Sequence, residues 1–557
     1  MKKTVMRAVR AALQLMPKNL KNKLKQSERL TGFYIKSVRK SGLFFDAPTP
    51  EQTHKLYQAW LHEHHSLLSE QNDEAPQLWQ AVIVGCNEKF TKTEQNVLAL
   101  GAKNAIFIND EDKGGFLHSK DSIDINLPIL LLRSGDTVRA SAIAHFLNAL
   151  KSADIVYSDT DEALDNGEYT APRFLPDWNP ELQLSTGYVR TGVMLKADCL
   201  ERADCLTSIA GLLAKLELSG QHLTTKHISL PLVHSCFDDN ETSRDLAVIR
   251  DEIERSGNAT VTLSREQNVN RVVWKNTSPL VSLIIPTKNG KQLVQDCVES
   301  ILEKTTYSNY EILLIDNGSD EKESLDYFNY LNTLPQIRVL QYPGVFNYSA
   351  INNFGVQHAM GSVVGLVNND IEVITPEWLT YLVGHVERAA VGCVGAKLLY
   401  SDTRIQHAGV VLGYGGGAGH AHKNFPRAHS GYLKRICATN NFSAVTAACL
   451  LVKKSHFDAV GGLNETDLAV AFNDVDFCLR VEKLGARNVY CAEAELFHHE
   501  SVSRGLDISQ EKAARFNKEL TYLKTKWSKT IENDPAYSPN LTLKRENFSV
   551  KIKNKVG

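Results

Sequence analysis

No run in these 557 residues reaches the roughly 18 to 20 consecutive apolar side chains that cover a bilayer, which excludes a conventional spanning helix. A secretory signal is missing too: the apolar stretch before Pro17 is broken by Arg7 and Arg10, and no clear cleavage site follows. The ten cysteines, among them Cys86, Cys297, Cys393 and Cys478, are scattered without a C-x-x-C pair, and a reducing cytosolic compartment accounts for that most simply. Net charge is almost absent, at −2, so nothing global suggests a nucleic-acid partner. The Gly-rich stretch 413–422 lacks the Lys-Ser or Lys-Thr of a Walker loop and reads better as a flexible flap. His420 and His422 within it are a weak metal signal.

The charge that exists is unevenly spread. Residues 1–40 hold 12 Lys or Arg against the single acid Glu28, and Val5, Ala8, Val9, Ala12, Leu13, Leu15 and Met16 can form one face of a short helix. That pattern suits an anionic membrane surface, and equally a solvated basic arm. The length exceeds one core, so the chain divides into a basic amphipathic segment (1–45), two larger modules (46–275 and 276–510) and a C-terminal helix and tail (511–557).

In the later module, residues 281–285 read as a strand running into Pro286, Thr287, Lys288 and Asn289. An amphipathic stretch 293–302 and a second strand, 310–315, follow, and the latter runs into Asp316 and Asn317: a βαβ unit. Residues 362–367 then form an apolar run that breaks abruptly into Asn368, Asn369 and Asp370. Open α/β sheets bind ligands just beyond the carboxyl ends of their strands, which puts Asp370 where a metal-diphosphate could sit. Asn and Asp after a strand are also ordinary turn formers.

Taken in order, these segments closely resemble the inverting family 2 glycosyltransferases of the GT-A fold. Residues 471–480, with Asn473-Asp474 opening a helix, are similar to that family's acidic helix-start motif, and 498–505 to its late His-x-Glu-Ser-x-Ser-Arg-Gly motif. With the stretch 346–355, they point to the rhamnosyltransferase-like subgroup that builds O-antigens and other surface polysaccharides. The resemblance implies an α/β, Rossmann-like and mostly parallel sheet. It implies that Pro286, Thr287, Asp316 and Asn317 hold the nucleotide of a UDP- or dTDP-sugar, with Asn353, Asn368 and Asn369 also on the donor side. Asp370 and His498 would hold Mg²⁺ or Mn²⁺, and Asp474 would be the catalytic base. His499 stays open as the ligand instead of His498, and Asn473 or Asp474 can equally serve as helix caps. Asp476 and Arg480 read as a surface i,i+4 pair. The acceptor implied is a glycan or lipid-linked glycan, met by a cytoplasmic protein peripheral to the inner face of the plasma membrane.

Residues 46–275 resemble a second, degenerate copy. Arg133 in Arg133-Ser134-Gly135-Asp136 stands where an acid is usual, no acidic helix start follows Tyr188, and 224–234 reads only as a strand-like remnant. Asp159 and Asp161 suit a solvated acidic loop. The competing readings for the whole chain are a non-catalytic glycan-binding scaffold and a sugar nucleotidyltransferase; the latter's first strand normally enters a Gly-rich loop, which is not found after residue 285.

Overall fold

A computed structural model describes residues 47–69, 77–111, 120–201, 206–235, 239–499 and 510–553, with Val9 and Met16 alone from the basic arm. The chain forms two compact units. One comprises 48–275 together with 432–441 and 533–557; the other comprises 276–431 and 442–532, with 1–47. The helix from Gln510 thus belongs to the unit that holds Asp370 and Asp474.

In the first unit the strands are β1 (Gln80–Gly85), β2 (Ala105–Asn109), β3 (Ile129–Arg133), β4 (Thr137–Val138), β5 (Ile155–Ala163), β6 (Tyr169–Arg173), β7 (Val193–Leu195) and β8 (Thr225–His234). They form one sheet in the order β2-β1-β3-β7-β5-β8-β4, with β6 on β5. A separate antiparallel hairpin, β9 (Ala259–Ser264) and β10 (Val269–Trp274), ends the continuous part of the unit.

The second unit contains β11 (Val281–Thr287), β12 (Tyr310–Asp316), β13 (Ile337–Gln341), β14 (Val363–Val367), β15 (Ile371–Val373), β16 (Val391–Leu399), β17 (Ile405–His407), β18 (Val410–Leu412) and β19 (Ala418–His420). After an excursion into the first unit that ends in β20 (Asn440–Asn441), it resumes with β21 (Cys449–Lys453) and β22 (Arg487–His498). Its sheet runs β13-β12-β11-β14-β21-β16-β22-β15, with β17 on β16. All seven residues of β11 are buried, as a parallel strand covered on both faces requires.

The two sheets repeat one plan, pair by pair. Parallel β2/β1/β3 in the first corresponds to parallel β12/β11/β14 in the second. Antiparallel β3/β7/β5 corresponds to β14/β21/β16. Parallel β5/β8 with antiparallel β8/β4 corresponds to β16/β22 with β22/β15. The α/β fold of two tandem modules is therefore present, with sheets more mixed than a mostly parallel reading suggests.

Helix α1 (Lys291–Lys304) crosses from β11 to β12, and α2 (Tyr348–Gln357) leads to β14. Gly355 lets α2 lie on the sheet: a Cβ there would sit 2.4 Å from Ile284 Cγ2. Two further helices, α3 (Asn473–Glu482) and α4 (Gln510–Lys526), flank β22 in sequence.

Candidate active site

β11, β12 and β14 end at the same sheet edge, and their polar termini lock to one another. Asn317 N–H donates to Thr287 O at 2.8 Å, and Asn369 Nδ2 donates to Thr287 Oγ1 at 3.0 Å. Asp316 is fully buried; its Oδ1 accepts from the Ser319 N–H and hydroxyl, while Oδ2 has no hydrogen-bond partner among the described residues. A buried carboxylate oxygen left unpaired costs free energy unless a ligand donor meets it. Asn317 spends its amide on Tyr342 O and Gly344 O, so it shapes the rim more than it offers donors. Asn353 is placed differently from a donor contact: its amide exchanges hydrogen bonds with Leu463 and also reaches the Glu465 carboxylate, holding the 463–465 loop.

Asp370 and His498 come together. Ile371 pairs with His498 across β15 and β22, and Asp370 Oδ1 lies 3.2 Å from His498 Nε2, both side chains being buried. The Tyr348 hydroxyl lies 3.2 Å from Asn368 Oδ1, and Asn368 Nδ2 lies 3.2 Å from His498 Nε2. Two ligands about 2.1 Å from one octahedral ion and at right angles to each other stand about 3.0 Å apart, so the pair fits a divalent cation. Among the described residues no group of three or more His, Cys, Asp or Glu side chains forms a fuller metal cage. His499 is turned elsewhere: Nε2 is 3.2 Å from Glu372 Oε2 and Nδ1 is 2.7 Å from Ser401 Oγ. The rest of the late motif, 500–505, lies outside the described residues.

Asp474 sits in the first turn of α3, whose N-cap is Phe472 in the left-handed region (φ 60°) with no side-chain cap. Neither Asn473 nor Asp474 is therefore the cap. Asp474 Oδ2 accepts from Ala447 N–H at 3.1 Å and Oδ1 from Val475 N–H at 2.9 Å. Burial pushes its pKa above the ordinary aspartate value, and these backbone donors hold it partway down. Asp476 does pair with Arg480, at 2.7 Å, but the pair is not on the surface: Asp476 is fully buried and also accepts from Trp527 Nε1 and Lys526 Nζ.

One dipeptide joins the two halves of the site. Ala448 O accepts from Asn368 N–H at 3.0 Å, while Ala447 N–H serves Asp474. Ala447 O lies 2.9 Å from the Tyr348 hydroxyl, which also reaches Asn368. Tyr348 and residues 446–448 carry no acid, base or metal-ligand signature, and sequence reading gave them no role.

The Gly-rich stretch forms a tight hairpin of β18 and β19, with Gly413, Gly415 and Gly416 at φ 92°, 61° and 78°. His420 meets not His422 but His407, Nδ1 to Nδ1 at 2.9 Å. Burial, followed by the charge of His498, pushes His407 down to about 3, so it is neutral near pH 7.

The first unit keeps more of this plan than its sequence suggests. Asp136 immediately precedes β4 as Asp370 precedes β15, and Thr137 pairs with His234 as Ile371 pairs with His498. His234 is therefore the counterpart of His498, in the segment read only as a strand remnant. Arg133 lies three residues before that aspartate, as Val367 does before Asp370, and its guanidinium is balanced by Glu241 at 2.6 Å and Asp245 at 3.5 Å. Internal hydrogen bonds occupy both retained groups: Asp136 takes Arg133 N–H and the Thr191 hydroxyl, and His234 Nδ1 meets Asp161. Asp159 and Asp161 do not form a solvated loop; both are buried in β5. Asp161 also accepts from Tyr57 and Arg139, and Asp159 from Leu175 N–H, His227 and Asn540.

Part of this chain is similar to known proteins. The model of glycosyl transferase family 2 matches residues 282–459. The uncharacterized protein y4gI of Sinorhizobium fredii is 39% identical over 435 residues, which cover 73% of this chain and 47% of that protein. O-antigen biosynthesis protein RfbC of Myxococcus xanthus is 32% identical over 432 residues, 74% of this chain and 33% of that protein. An N-acetylglucosaminyl-diphospho-decaprenol L-rhamnosyltransferase of Mycobacterium tuberculosis is 35% identical over 79 residues, 14% of this chain and 25% of that enzyme. This chain spans less than half the length of each. Through residues 282–459, the segment that carries β11 to β21, the chain matches glycosyl transferase family 2.

Proposed function

We propose that the second unit transfers a sugar from a UDP- or dTDP-sugar to a glycan or lipid-linked glycan, with inversion, in the building of a surface polysaccharide. The observation that carries the reading is the Ala447–Ala448 dipeptide, which ties the Asn368 side of the site to Asp474. Asp370 and His498 would hold Mg²⁺ or Mn²⁺, whose bound charge stabilises a departing diphosphate. Thr287, Asp316 and Asn369, at the strand ends, would cradle the nucleotide. Asp474 takes the acceptor hydroxyl proton as that oxygen bonds to the anomeric carbon. The bond from that carbon to the diphosphate oxygen breaks on the opposite face, and the diphosphate leaves with the electron pair. The likeness to RfbC supports an O-antigen-like product.

Release of nucleoside diphosphate from a panel of UDP- and dTDP-sugars with Mn²⁺ tests this directly, and no release from any member would count against it. The base must be ionised, and its pKa is raised, so activity falls as pH drops through a value above the ordinary aspartate range. The acid limb of the pH–rate profile is expected there; a limb at or below pH 3.8, the unperturbed value, would contradict the assignment.

Membrane attachment is part of the proposal. Among the described residues no helix is long and apolar enough to cross a bilayer, and the basic arm lies largely outside them. Each Lys or Arg near an anionic surface contributes about 1 kcal/mol, screened over about 10 Å at 0.1 M salt. The protein is expected to sediment with anionic vesicles at low salt and to leave them at high salt, and deletion of residues 1–40 should abolish sedimentation while sparing donor binding. Unchanged sedimentation after the deletion would assign the contact to another surface.

A further inference from the structure

Helix α4, the expected C-terminal helix, touches several segments around Asp474. Glu519, 2% exposed, accepts from two consecutive backbone N–H groups, Val470 and Ala471, each at 3.0 Å. Those residues lead straight into Phe472, the left-handed N-cap of α3, and Phe472 packs on Phe516 of α4 with ring centroids 5.3 Å apart. Beyond the Phe472 turn, Lys526 and Trp527 bind the carboxylate of Asp476, two residues from Asp474. On the flap side, a Cβ on Gly417 would lie 2.5 Å from Leu520 Cδ1, so the β18–β19 hairpin rests on the same helix. Asn464 Nδ2, in the loop held by Asn353, donates to Tyr522 of α4 at 2.9 Å.

A carboxylate that receives two adjacent amides fixes a peptide's orientation as well as its position, because its two oxygens are rigidly spaced. The backbone it fixes carries a left-handed non-glycine residue, a conformation that persists only when its surroundings over-determine it. We infer that Glu519 is a positioning residue for glycosyl transfer: through Val470, Ala471 and Phe472 it sets the angle at which α3 presents Asp474, and α4 couples that setting to the Gly-rich flap. The inference rests on the reading of Asp474 as the base.

The test is Glu519→Gln in the full chain. It leaves one acceptor oxygen and turns an NH₂ toward a backbone N–H. Turnover, read as nucleoside diphosphate released from UDP- and dTDP-sugars, is expected to fall about tenfold or more. The Kd for UDP with Mn²⁺ should stay within about twofold, and hydrogen exchange at the Val470 and Ala471 amides should quicken. Should Glu519→Gln fail to fold, Trp527→Phe, which removes the indole N–H to Asp476 together with part of the ring, is expected to show the same split. Asp474→Asn is measured alongside. If it loses turnover while the Glu519 and Trp527 variants do not, the positioning role is overturned and the base stands. Parallel loss of turnover, UDP affinity and melting temperature would also overturn it, as a purely structural role. Full turnover in Asp474→Asn would overturn both.

Discussion

Replacing Asp474 with Asn is expected to lower turnover by roughly 10²–10⁴-fold while leaving the affinity for UDP and Mn²⁺ near that of the parent. The substitution keeps the volume and one acceptor for the Ala447 or Val475 amide, so the first turn of α3 persists. What it removes is the group that takes the acceptor proton as the new bond forms. A loss confined to kcat is the signature of an interaction made only in the transition state. If turnover stays within a few-fold of the parent, the carboxylate is there only to hold residue 447, and the base lies elsewhere.

Asp370→Ala should abolish Mn²⁺-dependent binding of UDP and cut turnover by roughly 10²-fold or more, since charge neutralisation of the leaving group contributes several kcal/mol. The thermal shift given by UDP with Mn²⁺, worth about 2.7 kcal/mol at a hundredfold excess over Kd, should vanish with it. His498→Ala should weaken Mn²⁺ binding far more than His499→Ala, because His499 faces Glu372 and Ser401. Asp136→Asn is the matched control, since Asp136 is already occupied by Arg133 N–H and Thr191. Equal losses from Asp370→Ala and Asp136→Asn would place a working metal centre in each unit and dissolve the distinction between them.

What could be read from the sequence follows from distance along the chain. The strand ends at Thr287, Asp316 and Val367 announce themselves as apolar runs that stop at polar residues, a local signal. Asp370 shares that local signal, but His498 as its partner needed the late motif, because the β15–β22 pairing brings together residues 128 positions apart. The contacts of Tyr348 with Ala447 and of Glu519 with Val470 were illegible: they run to backbone atoms 99 and 49 residues away, which leave no side-chain signature. Asp159 and Asp161 were misread for a related reason. Alternating acids look solvated until His227, His234, Tyr57 and Arg139 are known to surround them. His234 escaped notice because it lacks the residues that flank His498, although the register is the same.

The brace from Glu519 to Val470 also imposes an order in time. Val470, just ahead of α3, leaves the ribosome 49 residues before the carboxylate that holds it. At about 5–20 residues per second, several seconds of synthesis separate the two. Through that interval β11, β12 and β14 are already synthesised, but the Glu519 brace on the segment leading into α3 is not. In a nascent chain the strands that carry Thr287 and Asp316 and lead into Asn369 are therefore complete before the brace on α3 exists.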